Sequence, residues 1–225
     1  EIINCDSMQV YRGFDIGTDK PSLEARRAVP HHLFDVADPW EQFTAADFVR
    51  GALRAIDDIH GNKNLPFIIG GTGLYLKALL DGLFPGPGRD PEVRRRLEAE
   101  AAEKGLGTLY KRLETIDPAY ARKVGSRDKV RIVRALEVFD TTGKPISEHF
   151  QSTESFVKDA RQIRIGLRLE RQALYKRIED RVERMFAGGL VEEVDRLLRQ
   201  GVPEDAPPLR ALGYRWALKF IRKEV

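Results

Sequence analysis

Asp6 closes a short apolar run, EIINC, and is followed by Ser7. In open α/β sheets ligands bind beyond the carboxyl ends of the strands, so a carboxylate there can take a proton or hold a metal. It can equally cap its own loop. Gly70-Gly71-Thr72-Gly73 follows a second apolar run, LPFII, and opens a helical pattern. Glycines at such a turn let backbone approach an anion, and the helix N-terminus favours the negative charge. The string is neither G-x-G-x-x-G nor a Walker A loop, and a tight turn packed on small residues reads equally well. Arg177 and Arg181, in YKRIEDRVERM, share a helix face. Two guanidinium groups on one face suit a diphosphate, which arginine binds bidentately. With Glu179, Asp180 and Glu183 beside them they also suit a surface ion-pair ladder. Arg131 and Arg134 flank an apolar stripe, Ile132, Ala135, Leu136 and Phe139, where nucleic-acid contact and simple solubility are both open. His31 and His32 point to opposite sides of an extended segment, with no Cys or carboxylate cluster at ligand spacing, so no metal site is expected. Trp40 and Trp216 read as packing residues.

The elements that must position these groups can be read from the same chain. Residues 1–5 and 65–69 have the continuous apolar character of buried strands. Residues 33–36 suggest a further short strand. Thr44 is a good N-cap for a helix over 45–59, whose apolar stripe is Phe48, Ala52, Ala55, Ile56 and Ile59. A second helix covers 74–80. Strand, helix, strand, helix at this spacing predicts a parallel α/β sheet, with Asp6 and residues 70–72 at its carboxyl edge lining one cavity. After the hinge-like Pro85-Gly86-Pro87-Gly88, residues 90–139 read as helical, with breaks at Gly105, at Asp117-Pro118 and around Gly125-Ser126. Residues 164–169 alternate and predict a strand returning to the sheet, followed by helices over 171–186 and 190–199.

The chain has 225 residues, enough for one large domain or a domain with an insert. No apolar run approaches the roughly 20 residues that span a bilayer. Cys5 is the single cysteine, which excludes an internal disulfide and a cysteine-based zinc cluster and suits a reducing cytosol. The net charge is only +3, but residues 89–134 hold 13 Lys/Arg against 8 Asp/Glu. A basic segment on a near-neutral body suits an anionic partner gripped by one part of the molecule.

The blocks DSMQVYRGFDIGTDKP, PHHLFDV, FTAADF, IIGGTGLYLKALLDGL, DPEVR, RALEVF, TGK, RIEDRVERM and LRALGYRW, in that order, resemble the tRNA dimethylallyltransferase family. The likeness runs from Asp6 to Arg215. It implies a P-loop-kinase-like α/β core, a parallel sheet flanked by helices over 1–85 and 145–225. It also implies a helical tRNA-binding insertion over 86–144. The activity implied is transfer of a dimethylallyl group from dimethylallyl diphosphate to the exocyclic amine of the adenine beside the tRNA anticodon, with magnesium assisting and diphosphate leaving. The enzyme would be a cytoplasmic monomer. By motif, Asp6 resembles the general base that binds the adenine amine, and Ser7, Met8 and Gln9 belong to the same tRNA-contacting block. Thr72, Arg94, the segment Val130, Arg131, Ile132, Val133 and Arg134, and the block carrying Arg210, Gly213, Tyr214 and Arg215 resemble further tRNA contacts. Arg181 resembles the diphosphate-binding arginine. The chemistry agrees, since a poor amine nucleophile needs a carboxylate, the departing diphosphate needs cations, and the adenine must leave its stack.

Members of this family begin with a strand and a G-x-T-x-S-G-K-[ST] loop and end in a basic K-R-Q-x-T-W-x-R-like block. Neither string occurs in these residues, and the expectation is an incomplete chain rather than a divergent enzyme. Three other readings stay open: a small-molecule kinase on the same fold, an adenylate isopentenyltransferase acting on free nucleotide, and an RNA-binding remnant without catalysis.

Overall fold

The computed structural model describes residues 1–84, 86–151 and 153–225; Pro85, the first residue of the expected hinge, lies outside them. The chain divides into two compact units, Glu1–Leu79 with Asp159–Val225, and Leu80–Lys158.

The first unit is built on β1 (Ile2–Asn4). Parallel neighbours need crossover connections. A loop and α1 (Leu23–Ala28) carry the chain to β2 (His31–His32), and α2 (Ala45–Gly61) carries it to β3 (Phe67–Ile69). The sheet is parallel throughout, in the order β2-β1-β3, with Ile2 beside His31 and Phe67. Thr44 and Asp47 form a reciprocal capping box at the start of α2, and Phe48, Ala52, Ala55 and Ile59 bury one face of it. A further helix, α3 (Gly73–Asp81), follows β3 directly.

The second unit contains only helices and loops among its described residues. They are α4 (Pro91–Lys104), α5 (Leu106–Ile116), α6 (Pro118–Val124), α7 (Lys129–Thr142) and α8 (Ile146–Phe150). Asp90, Asp117 and Asp128 cap three of them with side-chain oxygens. Leu97, Leu109, Leu113, Ile132 and Leu136 close its core. The expected limits, 86 and 144, fall inside this unit.

The chain then supplies α9 (Arg171–Ala187), α10 (Leu190–Arg199), a 3-10 turn (Pro207–Arg210) and α11 (Leu212–Ile221) to the first unit. Leu190, Val194 and Leu197 of α10 and Tyr214 and Leu218 of α11 enclose Val10, Tyr11 and Phe14.

Three strand expectations need correction. The strand expected over 33–36 lies instead at His31–His32, and the chain bends over 33–35, with Leu33 and Asp35 at φ +64° and +54°, outside the extended range a strand needs. Residues 164–169 form no ladder, and Ile165 and Leu167 are 79% and 95% exposed. Alternation supplies an apolar face, but a strand exists only where its backbone finds a partner, and among the described residues this segment has none. β3 is not the buried strand its run of apolar residues predicts. It pairs with β1 on one side only among the described residues, and Phe67 and Ile69 are about half exposed. The carboxyl-edge placement of Asp6 follows from the parallel order and is as expected.

Candidate functional site

Asp6 stands two residues beyond β1, and its backbone is tied to the Asn4 side chain. Asn4, itself buried, accepts from the Asp6 N–H at 3.1 Å and donates to the Leu33 carbonyl at 2.9 Å. The Asp6 carboxylate accepts from the N–H groups of Met8 at 2.7 Å and Gln9 at 3.2 Å, both at Oδ1. It therefore caps its own turn through Oδ1, and among the described residues Oδ2 takes no hydrogen bond. Ser7 donates its N–H to Thr72 Oγ1 at 2.9 Å, and the Thr72 N–H returns to the Cys5 carbonyl at 3.1 Å. The two sequence blocks thus meet at the sheet edge. Gly70 is required there by close approach, because a Cβ would lie 2.3 Å from the Cys5 carbonyl oxygen; Gly71 and Gly73 face open space. Burial, with the Asp6 charge beside it, pushes the Cys5 thiol up to about 11, so it is inert.

Asp6, Asn4, Gln9, Phe34 and Gly70 line a cleft of about 290 Å³. Thr72 braces the Ser7 side of this edge and does not line the cleft. Gln9 turns its amide away and donates to the carbonyls of Thr18 and Asp19 at 2.9 and 3.2 Å. Residues 15–20 form a loop. Its backbone N–H groups at Asp15, Ile16 and Gly17 all point at the Glu193 carboxylate. Tyr214 donates its hydroxyl to the same carboxylate and accepts from the Gly17 N–H at 3.1 Å. A side chain at position 17 would collide with the Tyr214 ring at 2.6 Å. Burial and the neighbouring Glu193 push the Tyr214 phenol far above its ordinary value, so it stays a donor.

Lys20 closes the other side of the loop. Its buried ammonium reaches the Tyr11 carbonyl at 2.5 Å, Asp15 at 2.8 Å and Asp35 at 2.6 Å. Asp35 also takes Arg26 at 2.6 Å. Burial works to raise the Asp35 carboxyl, but the hydrogen bonds from Arg26 and Lys20 outweigh it and hold it below the usual range. Arg181, on α9, places Nε 3.3 Å from Asp19. With Arg184, Lys20, Asp15 and Ile16 these two line a second cleft of about 230 Å³.

The other residues singled out in the sequence fall into two groups. Val130 and Arg131, on α7, are exposed, as are Arg210 and Arg215. Ile132, Val133 and Tyr214 are buried, so their side chains serve packing and offer no contact surface. Arg134 is drawn inward to Glu137 at 3.0 Å and to the carbonyls of Pro87 and Gly88. Arg94 is mostly buried, with Glu137 at 3.8 Å. Gly213 lies within α11, where an added Cβ would stand 4.0 Å from the Leu190 side chain. Sequence reasoning missed Glu193, Lys20 and Glu137. For Glu193 a signal existed, since it lies on the same helix face as Leu190, Val194 and Leu197, where an acid is out of place.

The comparisons with known proteins cover the chain nearly end to end. The IPP transferase family model matches residues 9–225. A tRNA dimethylallyltransferase of Geobacter sulfurreducens is 50% identical over 222 residues, 98% of this chain and 71% of the relative. The crystal structure of a tRNA isopentenylpyrophosphate transferase from Bacillus halodurans superposes with a TM-score of 0.66 at 38% identity, covering 100% of this chain and 70% of that one. A eukaryotic dimethylallyltransferase acting on tRNA superposes with a TM-score of 0.76 at 26% identity, covering all of this chain and 57% of its own. With a parallel sheet, a carboxylate at its edge and these matches in agreement, the chain belongs to the IPP transferase family.

Proposed function

We propose that this chain transfers a dimethylallyl group from dimethylallyl diphosphate to the exocyclic amine of the adenosine 3′ to the anticodon in tRNA, releasing diphosphate. The observation that carries the reading is Asp6, held by one oxygen at the sheet edge beside a cleft while the other stays available. In the step, the adenine nitrogen attacks the first carbon of the prenyl chain, the carbon–oxygen bond to diphosphate breaks, and the amine proton passes to Asp6. Arg181 and Arg184 face the second cleft and suit the charge that develops on the leaving diphosphate. The exposed cations of the second unit, Arg131 among them, suit RNA phosphates.

Magnesium is implied by the resemblance and would supply positive charge to the departing diphosphate. Among the described residues no three potential ligands cluster, and the carboxylates of the second cleft are paired with Lys20 and Arg181. Toward the anion this chain would contribute the guanidinium groups of Arg181 and Arg184.

Asp6→Asn keeps the turn, because the amide oxygen can accept from Met8 and Gln9, and removes the base. Single-turnover prenylation should slow about 10²- to 10⁴-fold while tRNA affinity holds. Unchanged turnover removes Asp6 from this role. Supplying adenosine monophosphate in place of tRNA separates the tRNA reading from the free-nucleotide one.

A further inference from the structure

Arg181 already has an anion. Its Nε lies 3.3 Å from the Asp19 carboxylate, and both side chains are about half exposed at the mouth of the second cleft. Asp19 is not on a loose tail. Its backbone has φ +56°, a left-handed conformation that aspartate and asparagine tolerate better than most residues. Its N–H bonds the Ile16 carbonyl, its own carbonyl accepts from Gln9, residues 15–17 before it are held by Glu193, and Lys20 after it is held by Asp15 and Asp35. The loop therefore presents a carboxylate to the guanidinium from a fixed backbone.

Charge in the cleft makes this consequential. Lys20 is taken up by Asp15 and Asp35, which leaves Arg181 and Arg184 as the cations facing the space, and Asp19 offsets one of them. We propose that Asp19 is an internal competitor for the anion site: it occupies Arg181 until a diphosphate displaces it, and it returns as diphosphate leaves. Asp19 thereby sets the affinity for the prenyl donor and for the released diphosphate. This rests on the reading of Arg181 as a diphosphate ligand.

The test is a titration of the enzyme with inorganic diphosphate, alongside the KM for dimethylallyl diphosphate. Asp19→Asn keeps size and backbone preference and removes the charge. An exposed pair is weak, so a tightening of about 2- to 5-fold is expected for both ligands. Asp19→Gly, which also accepts positive φ, should tighten similarly. Asp195→Asn, which removes a charge on α10 outside the cleft lining, should leave both unchanged. In an Arg181→Ala background the gain from Asp19→Asn should vanish. If Arg181→Ala weakens diphosphate but Asp19→Asn does not tighten it, the competitor role is overturned and the role of Arg181 stands. A gain that persists without Arg181 overturns it too, as a general charge effect. If Arg181→Ala leaves diphosphate binding unchanged, the reading of Arg181 fails and takes this one with it.

Discussion

Glu193 in the first unit and Glu137 in the second are both on helices with their carboxylates out of water, but their partners differ. Glu193 is held mainly by neutral donors, three consecutive backbone N–H groups and the Tyr214 hydroxyl, with Arg196 only at 4.0 Å. Glu137 takes the N–H of Asp90 at 2.8 Å and the guanidinium of Arg134 at 3.0 Å, with Arg94 at 3.8 Å. Burying a carboxylate costs several kcal/mol unless it is satisfied, and each unit meets that in its own way. In the first, the charge fixes the path of a loop, and Gln9 and Asp19 inherit that fixity. In the second, the charge fixes arginines against the start of α4. The lesson is that the first unit organises backbone beside its clefts, while the second organises cations.

The strongest way to break this contrast is to remove the two carboxylates. Glu137→Ala leaves Arg134 and Arg94 without their buried counter-charge, and a loss of about 3–5 kcal/mol in urea unfolding is expected. Glu193→Gln keeps shape and one acceptor while removing the charge that gathers the loop amides. It should cost about 1–3 kcal/mol and raise hydrogen exchange at residues 15–17. If Glu193→Gln leaves those amides protected, the loop is held by something other than the glutamate.

The contrast also shows what the sequence could reveal. The meeting of Asp6 and Thr72 was legible, because two strand-then-turn patterns in a parallel sheet must end on the same edge. The helices over 90–139 were legible from the Pro-Gly hinge before them and from the apolar stripe through Ile132 and Leu136, which are local signals. Local patterning also marked Ile132 as part of a core stripe, and it is buried. What failed was non-local. The alternation over 164–169 and the apolar run of β3 identify residues that want partners, but a strand is a property of a pair. The roles of Lys20 and Glu193 were equally hidden, since Glu193 contacts a loop 176 to 178 residues away.

A second comparison lies within the second unit, between arginines turned in and turned out. Arg131 pairs with Asp128 at the surface and is 65% exposed, whereas the Arg94 side chain is 17% exposed beside Glu137. Arg131→Ala should flatten the salt dependence of tRNA binding by about one unit of slope and leave unfolding unchanged. Arg94→Ala should cost about 1–3 kcal/mol of stability, because it strips a partner from a buried carboxylate. A flattened slope with unchanged stability in Arg94→Ala makes Arg94 a phosphate contact instead.

The smallest expected effect concerns Asp35, where the loop clamp meets solvent. Its side chain is about one-third exposed, so solvent screens part of the attraction to Lys20 and Arg26. The carboxyl is nonetheless held below its usual range, burial being outweighed by those two hydrogen bonds. A carboxyl whose folded value is depressed adds stability above its unfolded value, near pH 4, and loses it as pH falls through the folded value. Asp35→Asn lacks that titration. The difference in unfolding free energy between the parent and Asp35→Asn should therefore be level from about pH 7 to 5. It should then narrow steadily as acid protonates the parent. Below the folded value both chains carry a neutral group between Lys20 and Arg26, and their remaining difference reflects shape alone. A difference that stays level down to pH 2.5 would mean that the charge of Asp35 adds nothing to the fold. The grip on Lys20 would then rest on Asp15 and the Tyr11 carbonyl, and the loop of the first unit would owe its fixity to Glu193.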